Sequence, residues 1–441
     1  MIRKYGILFS LILVFIGMAL ITHFKTGDWS FLTPENLSNL SQQITQTGIL
    51  AIGMTMVILI GGIDLSVGSM LAVAGITLAS TAEIFEPLGW MGPCLAILCA
   101  ILAGTALGAV NASLIARFKM IPFVVTLGML TIARGIAYLV TGSQSIRTKA
   151  DLFKTIGVDT IDKILFRWTH HLSDIPAGVA AEFASRNYPQ SIWIEKYVDD
   201  LFLPAILPGG AANIGKIDRD HSLFPWFTVA LFVAVFVVWL AYFLRSCRKS
   251  AQHGASAESA RDIAIKIALV AAGCAFGGWV FVSHQGLPVM VLIFAVIALA
   301  GSFLLNRTVF GRHLYAIGGN KQAAHLSGVR VEQCTFLVFT LMGFLCAVSG
   351  IISTCRAQGA APATQGILAE LEAIAAAVVG GTSLMGGVGT ISGTLIGALI
   401  IGIVVNGMSI MALPNPIQLV FKGLIIVIAV WIDARTKRGS R

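Results

Sequence analysis

The sequence predicts an all-α polytopic membrane protein of about 10–12 transmembrane or half-spanning helices, with both termini cytoplasmic and one external polar insert. Three observations predict it. Apolar residues make up 56% of the 441 residues and charged residues only 12%, against about 25% charged in soluble domains. Apolar runs of roughly 20 residues, the length of one bilayer crossing, recur along the chain. The basic residues also sort by side: seventeen Lys/Arg fall in five segments assigned to the inner face, while the short outer loops hold only Lys25 and Arg356. The formal charge of +9 is therefore read as topology, with the lipid bilayer as partner and no nucleic acid.

The elements follow in order. Met1–Tyr5 is a basic start to an apolar run, Gly6–Phe24, with no small-x-small cleavage site after it, so it reads as an uncleaved first helix. A polar stretch, 25–46, leads to the apolar run 47–60. Then comes G-G-I-D-L-S-V-G-S at 61–69, a broken element, before apolar sequence resumes at 70–82. Spans at about 91–116 and 121–141 flank Arg117-Phe118-Lys119 and complete an N-terminal bundle, 1–142.

The insert, 143–223, carries nine basic and ten acidic residues. Its apolar residues at helical intervals over 151–171 predict a small external, periplasmic helical region. The C-terminal bundle, 224–441, starts with spans at 224–244 and 263–283 around a basic loop, then a span ending near Leu305. Later spans are at about 334–354, 390–411 and 416–432, with a second glycine-rich break at 380–389.

Between two of these spans lies a polar island, 306–333. Arg307, Arg312, Lys321 and Arg330 against the single Glu332 make it cationic, as cytoplasmic loops are. Asn320 is placed to cap a short helix and Gly328 to take the left-handed turn after it. Such a helix on the inner face suits a socket for a soluble partner, and equally an ordinary loop with one helical turn.

Asp64, between two apolar runs, either caps the helix that continues to Ala82 or lines a polar pathway; one residue can do both. Gly61, Gly62 and Ser66 flank it. Gly380, Gly381, Thr382, Ser383, Gly386 and Gly387 form the second break, either as unwound backbone facing a route or as close packing. Gly389, Gly393 and Gly397 make a small-residue packing face. Glu370 and Glu372 suit the positive end of a helix, and Arg134 and Lys422 lie near enough to span ends to snorkel.

No catalytic or metal-binding constellation is present. The seven cysteines show no C-x-x-C and none lies in the insert, so neither a disulfide frame nor a metal site is expected. Gly210 to Ile217 imitates a P-loop but has Ile where Ser or Thr must reach magnesium. The chain is not read as an enzyme, and any ATPase must be another chain.

Four stretches together resemble the permease subunit of bacterial ABC monosaccharide importers of the ribose/xylose/galactose group. They are I-L-A-I-G-M-T-M-V-I-L-I-G-G-I-D-L-S-V-G-S (49–69), F-V-V-T-L-G-M-L-T-I-A-R-G (123–135), F-G-R-x-x-Y-A-I-G-G-N (310–320) and G-G-T-S-L-M-G-G-V-G (380–389). The two extra spans around 245–266 and the ending N-G-M-S-I-M … W-I-D-A-R-T-K-R are most similar to xylose-type permeases, from which the large insert departs. Gln322-Ala323-Ala324-x-x-x-Gly328 resembles the E-A-A-x-x-x-G loop that docks on the ATPase, with Gln322 where that motif has Glu.

The resemblance implies a multi-pass protein of the bacterial inner membrane. A periplasmic binding protein would deliver the sugar, two copies of the permease would form the route, and a fused double ATPase, holding ATP and Mg, would drive it; this chain itself would bind no cofactor. Asn320, Gln322, Ala323, Ala324, Leu326 and Gly328 would carry the coupling, and the two breaks would lie nearest the sugar. An ion-coupled secondary sugar transporter is the alternative, with Asp64 its only candidate carboxylate. A membrane-embedded enzyme would need an acidic pair or metal site that the sequence does not display.

Overall fold

A computed structural model of the chain describes residues 2–148, 150–169, 225–252 and 260–438. Among the described residues, ten helices are long and apolar enough to cross a membrane, and the only sheet is a two-residue pairing, as expected for an all-α polytopic protein. The helices are α1 (Ile2–Thr26), α2 (Pro34–Leu59), α3 (Val67–Ile84), α4 (Met91–Ala116), α5 (Pro122–Thr141), α6 (Asp151–Gly157), α7 (Ile161–Thr169), α8 (Trp226–Gln252) and α9 (Ala260–Val282). They continue with α10 (Val289–Arg307), α11 (Val309–Gly319), α12 (Lys321–Leu326), α13 (Val331–Ala357), α14 (Ala369–Val379), α15 (Ile391–Ile410) and α16 (Asn415–Arg438). Strand β1 (Ile146–Arg147) pairs antiparallel with β2 (Gly359–Ala360).

Two expectations shift. The polar stretch 34–46 is helical, so α2 begins well before the apolar run; Pro34 at its first position has no N–H to leave unsatisfied. The island 306–333 holds two helices rather than one, because Thr308 caps α11 through the Gly311 N–H before Asn320 starts α12.

The chain forms two compact units. The first comprises 1–33, 39–158 and 290–441. At its centre α13 packs on α3 and α4. Gly104 and Gly108 of α4 face Gly343 of α13 so closely that a Cβ on Gly108 would sit 2.7 Å from the Gly343 Cα. Such small-residue crossings let helix backbones touch where hydrocarbon supplies no drive for association. The expected packing face is also present: Gly397 abuts the Ala376 carbonyl and Gly393 abuts Gly380, joining α15 to α14. Residues 146–157 belong to this unit, with β1 on β2 and Phe153 of α6 fully buried against Leu78, Ala96 and Cys355.

The second unit comprises 34–38 and 159–289. There Asp162 of α7 takes hydrogen bonds from the Phe227 N–H (3.0 Å), the Thr228 N–H (3.3 Å) and the Thr228 hydroxyl. It thus caps α8 from a different helix, satisfying donors that a helix start leaves open. The Leu287 N–H donates to the Thr228 Oγ1 at 2.9 Å, tying in the segment after α9. Residues 170–224, including the P-loop imitation at 210–217, lie outside the described residues.

Candidate functional site

The site is built from three irregular joints in the first unit. At the first, α2 ends as Gly61 takes φ +77°, a backbone that favours glycine, with the Gly61 N–H on the Ile58 carbonyl and the Gly62 N–H on that of Val57. Asp64 is fully buried. Its Oδ1 accepts the Ser66 N–H at 2.9 Å and the Ser66 hydroxyl at 2.6 Å, and Asn111 of α4 donates to that hydroxyl at 2.9 Å. The helix-start position before α3 is held by Ser66, not Asp64; Asp64 makes a turn bond two residues ahead. Its Oδ2 has no hydrogen-bond partner among the described residues.

At the second joint, α14 ends in Gly380 and in Gly381 at φ +88°. Thr382 and Ser383 turn inward and are buried. A tight loop follows, closed by the Ser383 N–H on the Val388 carbonyl (2.8 Å) and the Gly386 N–H on that of Ser383 (2.9 Å). Gly386 and Gly387 both have positive φ, +86° and +74°.

The third joint is the island. The Asn320 Oδ1 accepts the Ala323 N–H at 2.9 Å, and Gly328 turns left-handed at φ +85°, as the sequence predicts. Of the six helical residues Lys321–Leu326, only Ala324 is buried; Leu326 is 86% exposed, an apolar side chain standing free.

These joints meet. The Gly387 N–H donates to the carbonyl of Leu59, the last residue of α2, at 2.9 Å. Gly318 of α11 lies against both groups, so that a Cβ there would overlap the Leu59 carbonyl oxygen and the Gly387 nitrogen. The Tyr315 hydroxyl donates to the Gly389 carbonyl at 2.7 Å. A cavity of about 920 Å³ opens beside them, with Gly61 and Gly62 on one wall, Gln322 and Leu326 on another, and Lys119 and Glu332 between. Lys119 and Glu332 form an exposed ion pair at 3.4 Å.

Of the sequence candidates, Gly61, Gly62, Gln322 and Leu326 thus share the cavity, and Gly386 and Gly387 adjoin it through Leu59 and Gly318. Ala323, within the short helix, and Gly328, just past it, lie exposed. Asp64 and Ser66 are sealed against Asn111, while Gly380, Thr382 and Ser383 pack inside the bundle.

One irregular segment escapes the sequence reading. From Gln358 to Leu368 the chain leaves α13 and reaches the start of α14 without helix, with Gln358, Gly366 and Leu368 at positive φ. Arg134 does not snorkel: its Nη1 donates to the carbonyls of Pro362 (2.9 Å) and Gln365 (2.8 Å), holding this segment in place. Gly366 packs backbone to backbone on Gly68. The Gln365 amide nitrogen donates to Thr354 at 2.8 Å. Lys422 does not snorkel either; its Nζ lies 2.6 Å from Glu372 Oε1, and Thr47 donates to Oε2 at 3.1 Å. Glu372 does stand in the first turn of α14, as the dipole argument expects. Arg134 and Lys422, cations within otherwise apolar runs, were the available signal for these partners.

Among the described residues no group of His, Cys, Asp and Glu is placed to hold a metal.

Comparison with known proteins places this arrangement. A family described as "Branched-chain amino acid transport system / permease component" matches residues 36–430. The xylose transport system permease protein of Escherichia coli K12 is 34% identical over 415 residues, covering 94% of this chain and 88% of that protein. Its counterpart from Haemophilus influenzae is 36% identical over 412 residues, 93% and 92% of the two chains. The ribose import permease protein of Escherichia coli K12 is 29% identical over 416 residues, 94% and 91%. No solved structure matches the chain.

Proposed function

Since the chain belongs to this family of transport-system permease components, and is a multi-pass protein of the bacterial inner membrane, we propose that it forms the transmembrane route of an ATP-driven importer for a monosaccharide, xylose or a related pentose or hexose. The relatives named for xylose and ribose transport support the sugar class. In this reading two copies of the chain make the route, a periplasmic binding protein feeds it, and a fused double ATPase carrying ATP and Mg docks on the basic end of the bundle. The chain itself hydrolyses nothing.

One observation carries the reading. The short capped helix 321–326 presents a bare apolar Leu326 beside a large cavity, and α11, just before it, is hydrogen-bonded to one glycine-rich break through Tyr315 and Gly389 and packs against the end of the other through Gly318 and Leu59. A soluble partner seated in that cavity pushes on Leu326 and Gln322, and the push reaches Leu59 and Gly387 through α11. Gln322 bears no charge, so the contact there is hydrogen bonding and packing rather than an ion pair.

The test is uptake of labelled xylose and ribose into proteoliposomes containing the permease, the ATPase and the binding protein. Leu326→Glu and Ala323→Glu replace exposed side chains and leave the Asn320 cap intact, so both variants should insert normally yet lose ATP-driven uptake. Uptake that ignores ATP and follows a proton or sodium gradient would instead establish the secondary transporter, with Asp64 as its carboxylate.

A further inference from the structure

A second cavity, of about 330 Å³, lies away from the basic end of the bundle. Its polar lining is Gln46, Ser353, Thr364, Gln365 and Glu372, with main chain of the irregular segment between α13 and α14. The volume is at the small end of the range for small-molecule sites. Its place is fixed by α13: Ala357, the last residue of that helix, lines it, and Ser353 stands roughly 33 Å along the helical rise from the Val331 end. The cavity therefore lies toward the end of α13 that is farther from the basic island.

Irregular backbone packed among membrane-spanning helices persists only where protein surrounds it or where it borders water. Protein covers one side, through Arg134 and Gly68. On the other side Thr364 and Ile367 are exposed. An open polar cavity facing hydrocarbon is costly, so this side faces water. The charges inside are already matched, because Glu372 is paired with Lys422 and accepts from Thr47. A free ion gains little there. Amides, hydroxyls and a carboxylate together offer both donors and acceptors, which is the demand of a neutral polyol. The Gln365 Oε1 is buried with no hydrogen-bond partner among the described residues, and a turn of that amide offers an acceptor to a ligand hydroxyl.

We infer that this cavity is a subsite of the route that receives the hydroxyl groups of the sugar, with Gln46 and Gln365 as its principal hydrogen-bonding side chains. The inference rests on the sugar-permease reading above and adds the place within the chain where the sugar is held in passage. A handful of neutral hydrogen bonds in an open cavity binds loosely, as a transit site requires.

Three variants test it: Gln46→Leu, Gln365→Leu and Thr364→Cys. In reconstituted transporter the two leucine variants should lower sugar uptake by roughly tenfold while ATP hydrolysis stimulated by the binding protein stays within about twofold of wild type. A purely structural role would lower both together. T364C should react with a charged, water-soluble thiol reagent in intact membranes, above the background of the native cysteines, and xylose should slow that reaction. Wild-type uptake of both sugars is the control; if it is absent, the permease reading falls and this inference falls with it. If wild type transports and Q46L and Q365L transport equally well, only the subsite is refuted. An inert T364C likewise overturns the water-filled placement, and should Q365L fail to insert, Q46L and T364C decide the matter.

Discussion

Gly318 gives the sharpest check on how the joints are held. It lies in the last turn of α11 with helical backbone, so intrinsic propensity alone would favour alanine there by up to about 1 kcal/mol. Packing opposes this. The added Cβ would overlap the Leu59 carbonyl oxygen and the Gly387 nitrogen, the two partners of one hydrogen bond. Both are backbone atoms, so no flexible side chain can swing aside. Separating them leaves a buried donor and acceptor unsatisfied, about 1–3 kcal/mol, and the crowding adds roughly another 1–3 kcal/mol. After the propensity gain is subtracted, Gly318→Ala should destabilise by about 1–5 kcal/mol. The neighbouring residue is an internal control. A Cβ on Gly319 has nothing within 4 Å, so Gly319→Ala should be neutral or stabilise by up to about 1 kcal/mol. The assay is heating of the detergent-solubilised permease followed by size exclusion, alongside ATP-driven uptake. Gly318→Ala should melt earlier and transport less, and Gly319→Ala should match wild type. Indistinguishable melting of the two variants would refute the contact between α11 and the breaks.

Three other outcomes follow from the same contacts. Glu372→Gln or Lys422→Met alone should lower stability by roughly 1–3 kcal/mol, because each strands a half-buried charge, whereas the double variant should recover most of the loss; melting of all three in one detergent checks this. Asp162→Ala strips three hydrogen bonds from the start of α8 and should cost on the order of 2 kcal/mol, read as faster proteolysis within the 159–289 unit. His284, just past α9, is held below its usual 6.5 mainly by burial, with Lys163 adding to that and Glu35 opposing it. Its neutral form is thus favoured in the fold: the stability it contributes is complete above the unfolded value and declines as pH falls below 6.5 toward the lowered one. His284→Gln should flatten that acid-side decline in a melting-versus-pH series.

Elements encoded by neighbouring residues were legible in the sequence. Asn320 and Gly328 mark the ends of α12 through chemistry confined to one turn, and Gly61 and Gly381 announce their breaks because few other residues accept positive φ. The basic segments mark the inner ends of helices by simple counting. What stayed hidden depends on partners distant in the chain. Arg134 reads as a cation near a helix end until Pro362 and Gln365 come within reach, and Lys422 does so until Glu372 does. The stretch after α13 reads as an ordinary polar connection because nothing local says that it enters the bundle. Asp64 was legible as a capping residue, yet its bond falls on Ser66 and the helix starts two residues later than a direct cap would place it.

The two kinds of irregular backbone differ in how they are held, and the difference bears on transport. The joints at 60–66 and 380–390 meet through main chain, the Gly387 N–H on Leu59 with Gly318 wedged against both, and one side-chain bond, from the Tyr315 hydroxyl to the Gly389 carbonyl, adds to this. With glycine at the contact no rotamer can absorb a displacement, so a movement of α11 either carries the end of α2 with it or breaks the Leu59 hydrogen bond. The segment 358–368 is fastened by side chains instead, Arg134 and Gln365 above all. Those can shift between rotamers while the backbone bends. A stiff linkage suits the end where a partner pushes, and an adjustable wall suits a place where a sugar must be held and then released. In the proposed importer, a substitution at 318 or 387 should therefore uncouple ATP hydrolysis from uptake, while one at 134 or 365 should alter how well sugar passes in each cycle.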